Sequence, residues 1–516
     1  MDEDRYLYSP LGIMFVTMGE NHEQVSFAYP FQNASTVTSE LQSFSSSEPY
    51  PTICAQSLKG SEERNSSDAE QYGVPTKILS HLLSARGICE KPFEIKIDNI
   101  RFAGFPKTVS HPTGRSPQTF HVVFILTAKV TADLVTSFQE LSRKIAIAID
   151  EEQTRCDYLA DQMTIILNEH EKNESLPEGQ AFPYHEVLAH CSLAQDLRDI
   201  FSDVSEHGVV HVFLNDCIEV GFCVEPRALL HAGLTPKTRS EIEATIRRLR
   251  PYHGILLLED AIPGHDSNPA LHFFLKHCHP DQSLISISDS SGLSLFQVLT
   301  VVRHLLLWAR AIVIYPLCSS NVYTSATSPK PLSRLSEQFS EIFENAHLPT
   351  ILAQFSPPCT LEEFTNASMY SFSEQTKTHY FQQLRIRMVA RLLRDELIMQ
   401  LHTFLYLMPP FSHEIIDEST MDIDQDDHLN RLLSSVMLTT EVKASVIQVY
   451  KTMLKRHPQQ YAEDLLDLFL KLVPYLRGEH HVEDIMYRMN LERSSIMRVL
   501  DTFACVIAPF MRPEYV

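Results

Sequence analysis

The chain has 516 residues, with 43 Lys and Arg against 65 Asp and Glu, a net charge of −22, and only 15 glycines. No two glycines stand closer than seven positions. Backbone cradles for phosphate need them roughly two to five apart, which excludes the dinucleotide fingerprint, the nucleotide P-loop and the Gly-x-Ser-x-Gly nucleophile elbow. The acidic excess opposes binding to nucleic acid or anionic lipid. Ten scattered cysteines without a Cys-x-x-Cys pair read as reduced thiols buried in the cytosol.

In chain order, 11–18 and 25–31 read as two strands joined by a polar turn. The Ser- and Glu-rich stretch 33–73 reads as a disordered loop, and 74–86 as a short amphipathic helix. Strands follow at 93–97, 100–105 and 121–128, then one long helix from a Thr131 cap to about residue 168. A polar stretch leads into a second mixed unit. It has a helix at 186–206, strands at 209–214 and 217–224, a helix at 238–250 and a strand at 254–258. Helices near 267–279 and 293–310 and a strand at 311–316 complete it. The apolar window 301–318 carries Arg303, His304 and Arg310, and reads as a helix entering a strand rather than a membrane span. The apolar run 11–18 is too short for a signal peptide.

Beyond 332 the pattern is mainly helical: 334–345, 348–355 and 374–400, with a strand at 401–408 and an acidic loop at 409–430. Helices at 440–456, 460–476, 482–488 and 492–501 and a final strand at 503–508 give the order of a winged helix. Gly478 reads as the left-handed cap that ends helix 460–476. The expected class is therefore α+β and multi-domain. The expected divisions are 9–168, 183–325, 332–408, the loop 409–430, and 431–516.

Four constellations suggest chemistry, and spacing, context or charge argues against each. The histidines of His185-Glu186-Val187-Leu188-Ala189-His190 are five apart. That places them about 140° apart around a helix, where a zinc-protease helix needs them four apart. His272, His277, Cys278 and His279 include adjacent residues that converge poorly on one tetrahedral ion. Asp289-Ser290-Ser291-Gly292 reads as an N-cap for the next helix rather than a nucleophile. Arg488, Arg493 and Arg498 could face DNA. Residues 413–516, however, hold 11 basic and 17 acidic side chains, which favours protein docking. A GTPase-activating arginine on an exposed loop would leave Arg86, Arg101 and Arg115 as candidates, each more simply a surface or ion-pair residue. His480 and His481 read as local packing at a helix start. No metal or cofactor is expected.

Five segments resemble the nitrogen permease regulator 3-like family. They are Phe27-Ala28-Tyr29-Pro30-Phe31-Gln32; Phe93-Glu94-Ile95-Lys96-Ile97-Asp98-Asn99-Ile100-Arg101-Phe102; Arg250-Pro251-Tyr252-His253-Gly254-Ile255-Leu256-Leu257-Leu258; the run from Trp308-Ala309-Arg310 through Tyr315-Pro316-Leu317-Cys318 to Asn321-Val322-Tyr323; and Tyr475-Leu476-Arg477-Gly478-Glu479-His480-His481-Val482-Glu483-Asp484-Ile485-Met486-Tyr487. They occur in the family's order and cover essentially the whole chain.

The resemblance implies a longin-like fold at the N-terminus and winged-helix units at the C-terminus. It implies a scaffold subunit of the GATOR complex, which activates GTP hydrolysis by Rag-type GTPases and restrains TOR kinase, with links to autophagy, when amino acids are scarce. It implies a regulator 2-like partner that carries the catalytic arginine, a DEP-domain subunit, and recruitment from the cytoplasm to the lysosomal surface without membrane insertion or nucleic-acid binding. No catalytic residue is then expected here. From the residues themselves, Lys96, Asp98 and Arg101 read as alternating strand positions at a sheet edge, and with Arg477 and Glu483 they are the candidate partner-contact residues. The alternatives are a free-standing GTPase activator using its own arginine, or a winged-helix nucleic-acid-binding regulator.

Overall fold

A computed structural model of the protein describes residues 7–19, 23–30, 70–71, 74–84, 87–110, 117–174, 184–258, 267–327, 330, 332–343, 346–366, 375–408, 439–456 and 459–514. The readings made for the loop 33–73 (apart from 70–71), the acidic loop 409–430, Arg86 and Arg115 lie outside these residues. The chain forms two compact units. One comprises Met1–Leu249, Leu257–Leu271 and Leu299–Ile312; the other comprises Arg250–Leu256, His272–Val298 and Val313–Val516.

The first unit opens with strands β1 (Gly12–Met18) and β2 (Glu23–Tyr29). Two-residue strands β3 (Glu70–Gln71) and β4 (Val74–Pro75) pair with each other ahead of helix α1 (Thr76–Leu83). Strands β5 (Phe93–Ile97), β6 (Ile100–Thr108) and β7 (Thr119–Thr127) complete a five-stranded sheet in the order β2-β1-β7-β6-β5, with antiparallel pairing throughout. β7 is central and buried on both faces, so its sequence is a continuous apolar run rather than an alternating one. Helix α2 (Ala132–Cys156) lies on this sheet. Phe138 packs on Phe124 with ring centroids 5.2 Å apart. Ser142 donates to the Val122 carbonyl at 2.6 Å and accepts from the Phe105 amide at 2.8 Å.

The single helix expected over 131–168 is two. α2 stops at Asp157, which is left-handed at φ 54°, and α3 (Tyr158–Glu174) restarts beyond it. Gln153 fixes the corner: its Nε2 donates to Asp157 Oδ1 and its Oε1 accepts from the Ala160 amide, both at 3.0 Å. The apolar stripe continues through the break, which is why periodicity reads one helix. The 186–206 helix likewise divides into α4 (Tyr184–His190) and α5 (Ser192–Glu206). Strands β8 (Val209–Leu214) and β9 (Ile218–Cys223) form a hairpin whose turn uses Asn215 and Asp216 at positive φ, where short polar side chains are tolerated. Helices α6 (Glu225–His231) and α7 (Arg239–Arg248) follow, the latter opened by a Thr238–Glu241 capping box.

Strand β10 (Gly254–Leu257) pairs with β11 (Ala311–Ile314); between them run α8 (Pro269–His277), α9 (Leu284–Ser291) and α10 (Leu295–Leu307). Asp289-Ser290-Ser291-Gly292 is the end of a helix and not a beginning: Gly292 is the left-handed cap of α9. The start of α10 is instead marked by Ser294, whose Oγ accepts from the Gln297 amide. Among the described residues no single helix is long and apolar enough to cross a membrane; α9 and α10 meet that measure only as a pair bent by 118°.

The second unit is built around a sheet of β12 (Val322–Ser325), β13 (Cys359–Thr360), β14 (Ile398–Leu407), β15 (Arg477–His481) and β16 (Ile507–Pro513). β14 pairs with β12 through Ile398–Leu401 and with β15 at Phe404 and Tyr406, while β16 pairs with it along Leu401–Leu407. Helices α11 (Leu332–Ile342), α12 (Leu348–Gln354), α13 (Leu361–Asn366) and α14 (Gln375–Arg394) precede β14. After it come α15 (Thr440–Arg456), α16 (Gln459–Leu472), a 3-10 turn at Val473–Tyr475, then β15, α17 (Val482–Met489), α18 (Arg493–Thr502) and β16. Helix, turn, helix, strand is thus the observed order at the C-terminus. Gly478 is left-handed at φ +76°, as expected, but it sits inside β15 rather than capping a helix.

Candidate functional site: a buried histidine and carboxylate cluster

The candidate contact residues fall into two places. In the first unit, Lys96 and Arg101 are cross-strand partners on β5 and β6, and Asp98 lies in the turn between those strands rather than on a strand position. Arg101 is tied down: Nη1 is 3.1 Å from Glu94 Oε1 and Nη2 donates to the Ala128 carbonyl at 3.2 Å. That guanidinium is not a free loop arginine. Arg477 is exposed at the start of β15. Glu483, by contrast, turns toward histidines.

His481 closes β15 and forms the N-cap of α17, which places Glu483 in the first turn of that helix. β14 runs beside β15 and contributes His402, 3% exposed. Tyr315 follows β11. Tyr252 and His253 are held by backbone bonds from Leu284 to the His253 carbonyl at 2.8 Å and from Ile285 to the Pro251 carbonyl at 3.1 Å. Glu514 comes from the residue after β16. Local structure is ordinary at each point; the non-local pairing onto β14 assembles the site.

The ring of His481 is the centre. Its Nδ1 is 2.9 Å from Glu483 Oε2 and its Nε2 is 3.0 Å from Glu514 Oε2. The Tyr315 hydroxyl is 3.1 Å from the same Nε2 and also donates to Glu514. His402 Nδ1 is 3.6 Å from Glu483 Oε2, and Arg493 Nη1 holds the other oxygen, Oε1, at 3.1 Å. Aromatic rings close the cluster: Tyr315 lies 4.0 Å from His402 and 4.9 Å from His253, centroid to centroid.

Burial disfavours the charged form of His481, but the hydrogen bonds to Glu483 and Glu514 outweigh it and raise the ring to about 9. The same contacts work on the carboxylates. Burial resists ionisation of Glu514, yet His481 and Tyr315 bring it down to about 2. Against the same cost, His402 and His481 hold Glu483 well below the ordinary range. Burial takes His253 the other way, down to about 4, helped by the charges of His481, His402 and Arg250 and opposed by Glu514. The Asp484 amide also points at His481 Nδ1, at 3.3 Å. One nitrogen cannot both donate to Glu483 and accept from that amide. The shorter Glu483 contact favours a positive charge between Nδ1 and the carboxylate.

Sequence reading took His480 and His481 as local packing. His480 fits that, pairing with Asp484 at 2.7 Å one turn along. His481 does more, and its partners 79 residues before and 33 after it left no local signal. The other constellations do not assemble. His190 Nδ1 and His277 Nδ1 each bond a carbonyl four residues back, and Cys278 is buried against the Ile255 carbonyl. Arg488 pairs with Asp484 at 2.8 Å, and Arg498 bonds the Ser494 carbonyl and Ser495 hydroxyl of its own helix.

Residues 110–410 match the family described as Nitrogen Permease regulator of amino acid transport activity 3. That is more than half of the chain. The chain belongs to the nitrogen permease regulator 3 family. Residues 449–508 also match a domain family described as the C-terminal helix-turn-helix of GATOR1 complex protein NPRL3, in agreement with α17 and α18. A relative in Caenorhabditis elegans named GATOR complex protein NPRL3 is 33% identical, covering 98% of this chain and 96% of its own. One of the same name in Drosophila melanogaster is 26% identical over 97% and 96%. A nitrogen permease regulator 3-like protein of Schizosaccharomyces pombe is 22% identical over 84% and 86%. The resemblance read from five segments is thus shown. Three of those segments meet in the cluster: Tyr252 and His253 from the third, Tyr315 from the fourth, His481 and Glu483 from the fifth.

Proposed function

We propose that this chain is a non-catalytic scaffold subunit of a GTPase-activating complex that acts on Rag-type GTPases and restrains TOR kinase when amino acids are scarce. The observation that carries this reading is near-full-length similarity to two animal proteins named GATOR complex protein NPRL3. In this reading the first unit is longin-like and pairs with a regulator 2-like protein that supplies the catalytic arginine. A DEP-domain subunit binds elsewhere, and the assembly is recruited from the cytoplasm to the lysosomal surface. The antiparallel sheet supports such pairing, since β2 and β5 form its edges, and sheet edges accept further strands. The exposed Glu94 and Lys96 on β5 would face that partner. The tied-down Arg101 supports a catalytic arginine on another chain.

Co-expression tests the reading. The chain should be poorly soluble alone and soluble with the 2-like partner, and the complex should accelerate Rag GTP hydrolysis. Replacing Arg86, Arg101 and Arg115 together by Ala should leave that hydrolysis unchanged; its loss would shift the chemistry to this chain. A stable monomer that ignores the partner would sink the scaffold reading itself.

A further inference from the structure

His402, His481 and Glu483 each offer one ligand atom, all within 4.8 Å of one another, and both histidines are nearly fully buried. All three are lone-pair atoms unless a positive charge lies between them. A proton on His481 Nδ1 satisfies the 2.9 Å edge to Glu483 but leaves the 3.6 Å edge from His402, which is too long for a hydrogen bond. A single cation among the three accounts for both edges to Glu483. Tetrahedral zinc at its usual bond lengths to nitrogen and oxygen sets its ligands about 3.3 Å apart, and the two observed edges bracket that value.

The surroundings match such an ion. Glu514 sits on His481 Nε2 at 3.0 Å, so a proton on Nε2 donates to the carboxylate and leaves the Nδ1 lone pair to a cation in place of the long 3.3 Å contact from the Asp484 amide. That is the carboxylate–histidine arrangement that orients a ligand and raises its basicity. Arg493 occupies Glu483 Oε1, leaving Oε2 alone to ligate. Glu483 and Glu514 put two carboxylates against His481, and their negative charge offsets that of a buried cation. The donor set, two imidazoles and one carboxylate, suits zinc-type transition metals far better than magnesium or calcium.

We propose that His402, His481 and Glu483 form a binding site for one zinc-type divalent cation, with Glu514 as the positioning residue for His481. Three protein donors leave the fourth position of a tetrahedral ion to water. The ion ties β14 to the junction of β15 and α17.

The test uses the full-length chain, without a histidine tag, in whichever soluble form it takes, alone or co-expressed. After chelator stripping it is titrated with Zn²⁺ against a chromophoric competitor, with Mg²⁺ as control. The expected result is a single zinc equivalent that His402→Gln removes, no competition by Mg²⁺, and a higher Tm on zinc addition. Glu514→Gln, which keeps shape and every ligand, should weaken zinc about 10–100-fold. Co²⁺ in wild type should give the visible bands of a tetrahedral site, a readout that needs no variant to fold. Absence of a zinc equivalent in wild type overturns the proposal, as does zinc affinity unchanged in Glu514→Gln and folded His402→Gln; a proton alone then fills the cluster. Neither result depends on whether the partner of the proposed function binds.

Discussion

The ring of Tyr406 on β14 occupies the space where a β-carbon of residue 478 on β15 would stand, and Gly478 is left-handed at φ +76°. The pairing of these strands shifts register between Phe404 and Tyr406, beside the same residue. Two separate requirements therefore fix glycine there, backbone conformation and close approach.

Gly478→Ala should lower stability through both. The left-handed backbone costs about 1–2 kcal/mol for an L-residue, and displacing the ring adds about 1–3 kcal/mol. In a Tyr406→Ala background only the backbone share should remain. Urea denaturation of the single and double variants measures this; equal costs in both backgrounds would remove the ring from the account.

A second close approach lies in the first unit, where His121 Nε2 rests over Gly104. A β-carbon at 104 would also meet the Val122 carbonyl oxygen at 2.6 Å, and that backbone cannot swing away. Gly104→Ala should cost about 1–3 kcal/mol by overpacking, read as a lower Tm. An unchanged Tm would mean the sheet flexes there.

His121 itself sets an acid limit. Burial lowers its pKa from 6.5 to about 4 against a smaller opposing effect of the Leu83 carbonyl, to which Nδ1 lies at 2.8 Å. A depressed folded-state value means the contribution is full above pH 6.5 and is lost as pH falls toward and through 4. The loss is on the order of 3 kcal/mol. A pH series of Tm should show the decline, and His121→Gln should flatten it.

Asp196 on α5 works the opposite way. Burial raises it from 3.8 to about 6, reinforced by the charges of Asp199 and Asp216, although the Asn215 amide and Tyr158 hydroxyl favour ionisation. Its contribution is full below pH 3.8 and is lost as pH rises through 6. Asp196→Asn should therefore stabilise the chain near pH 7 more than near pH 4. The same stabilisation at both values would show that Asp196 titrates normally.

The two pH effects depend on contacts that sequence does not display. His121 follows Phe120 in an apolar run, and nothing in the run tells that Leu83 faces its ring. Strand β7 itself was legible, because an unbroken β-branched and aromatic run has one stable use in a sheet. The break at Asp157 was not: the stripe of α2 continues into α3, and the corner is made by one side chain, Gln153, bonding across it. The reading of Asp289-Ser290-Ser291-Gly292 failed for a related reason. A Ser-rich stretch before an apolar run looks like a helix start, and here it is the end of one helix placed just before another.

What the sequence determined by itself is what short-range pattern and ordered segments can carry. That includes the strands of the first sheet, the closing helix, turn, helix and strand, the absence of a glycine phosphate loop, and the family. Only the tertiary structure decided the cluster. His402, His481 and Glu514 are scattered along the chain and become neighbours because β14 takes β15 and β16 as its partners. Sheet pairing is non-local, and its outcome rests on the burial of many side chains at once. The histidines acquire their chemistry from that burial, and the same residues in an unfolded chain would be ordinary.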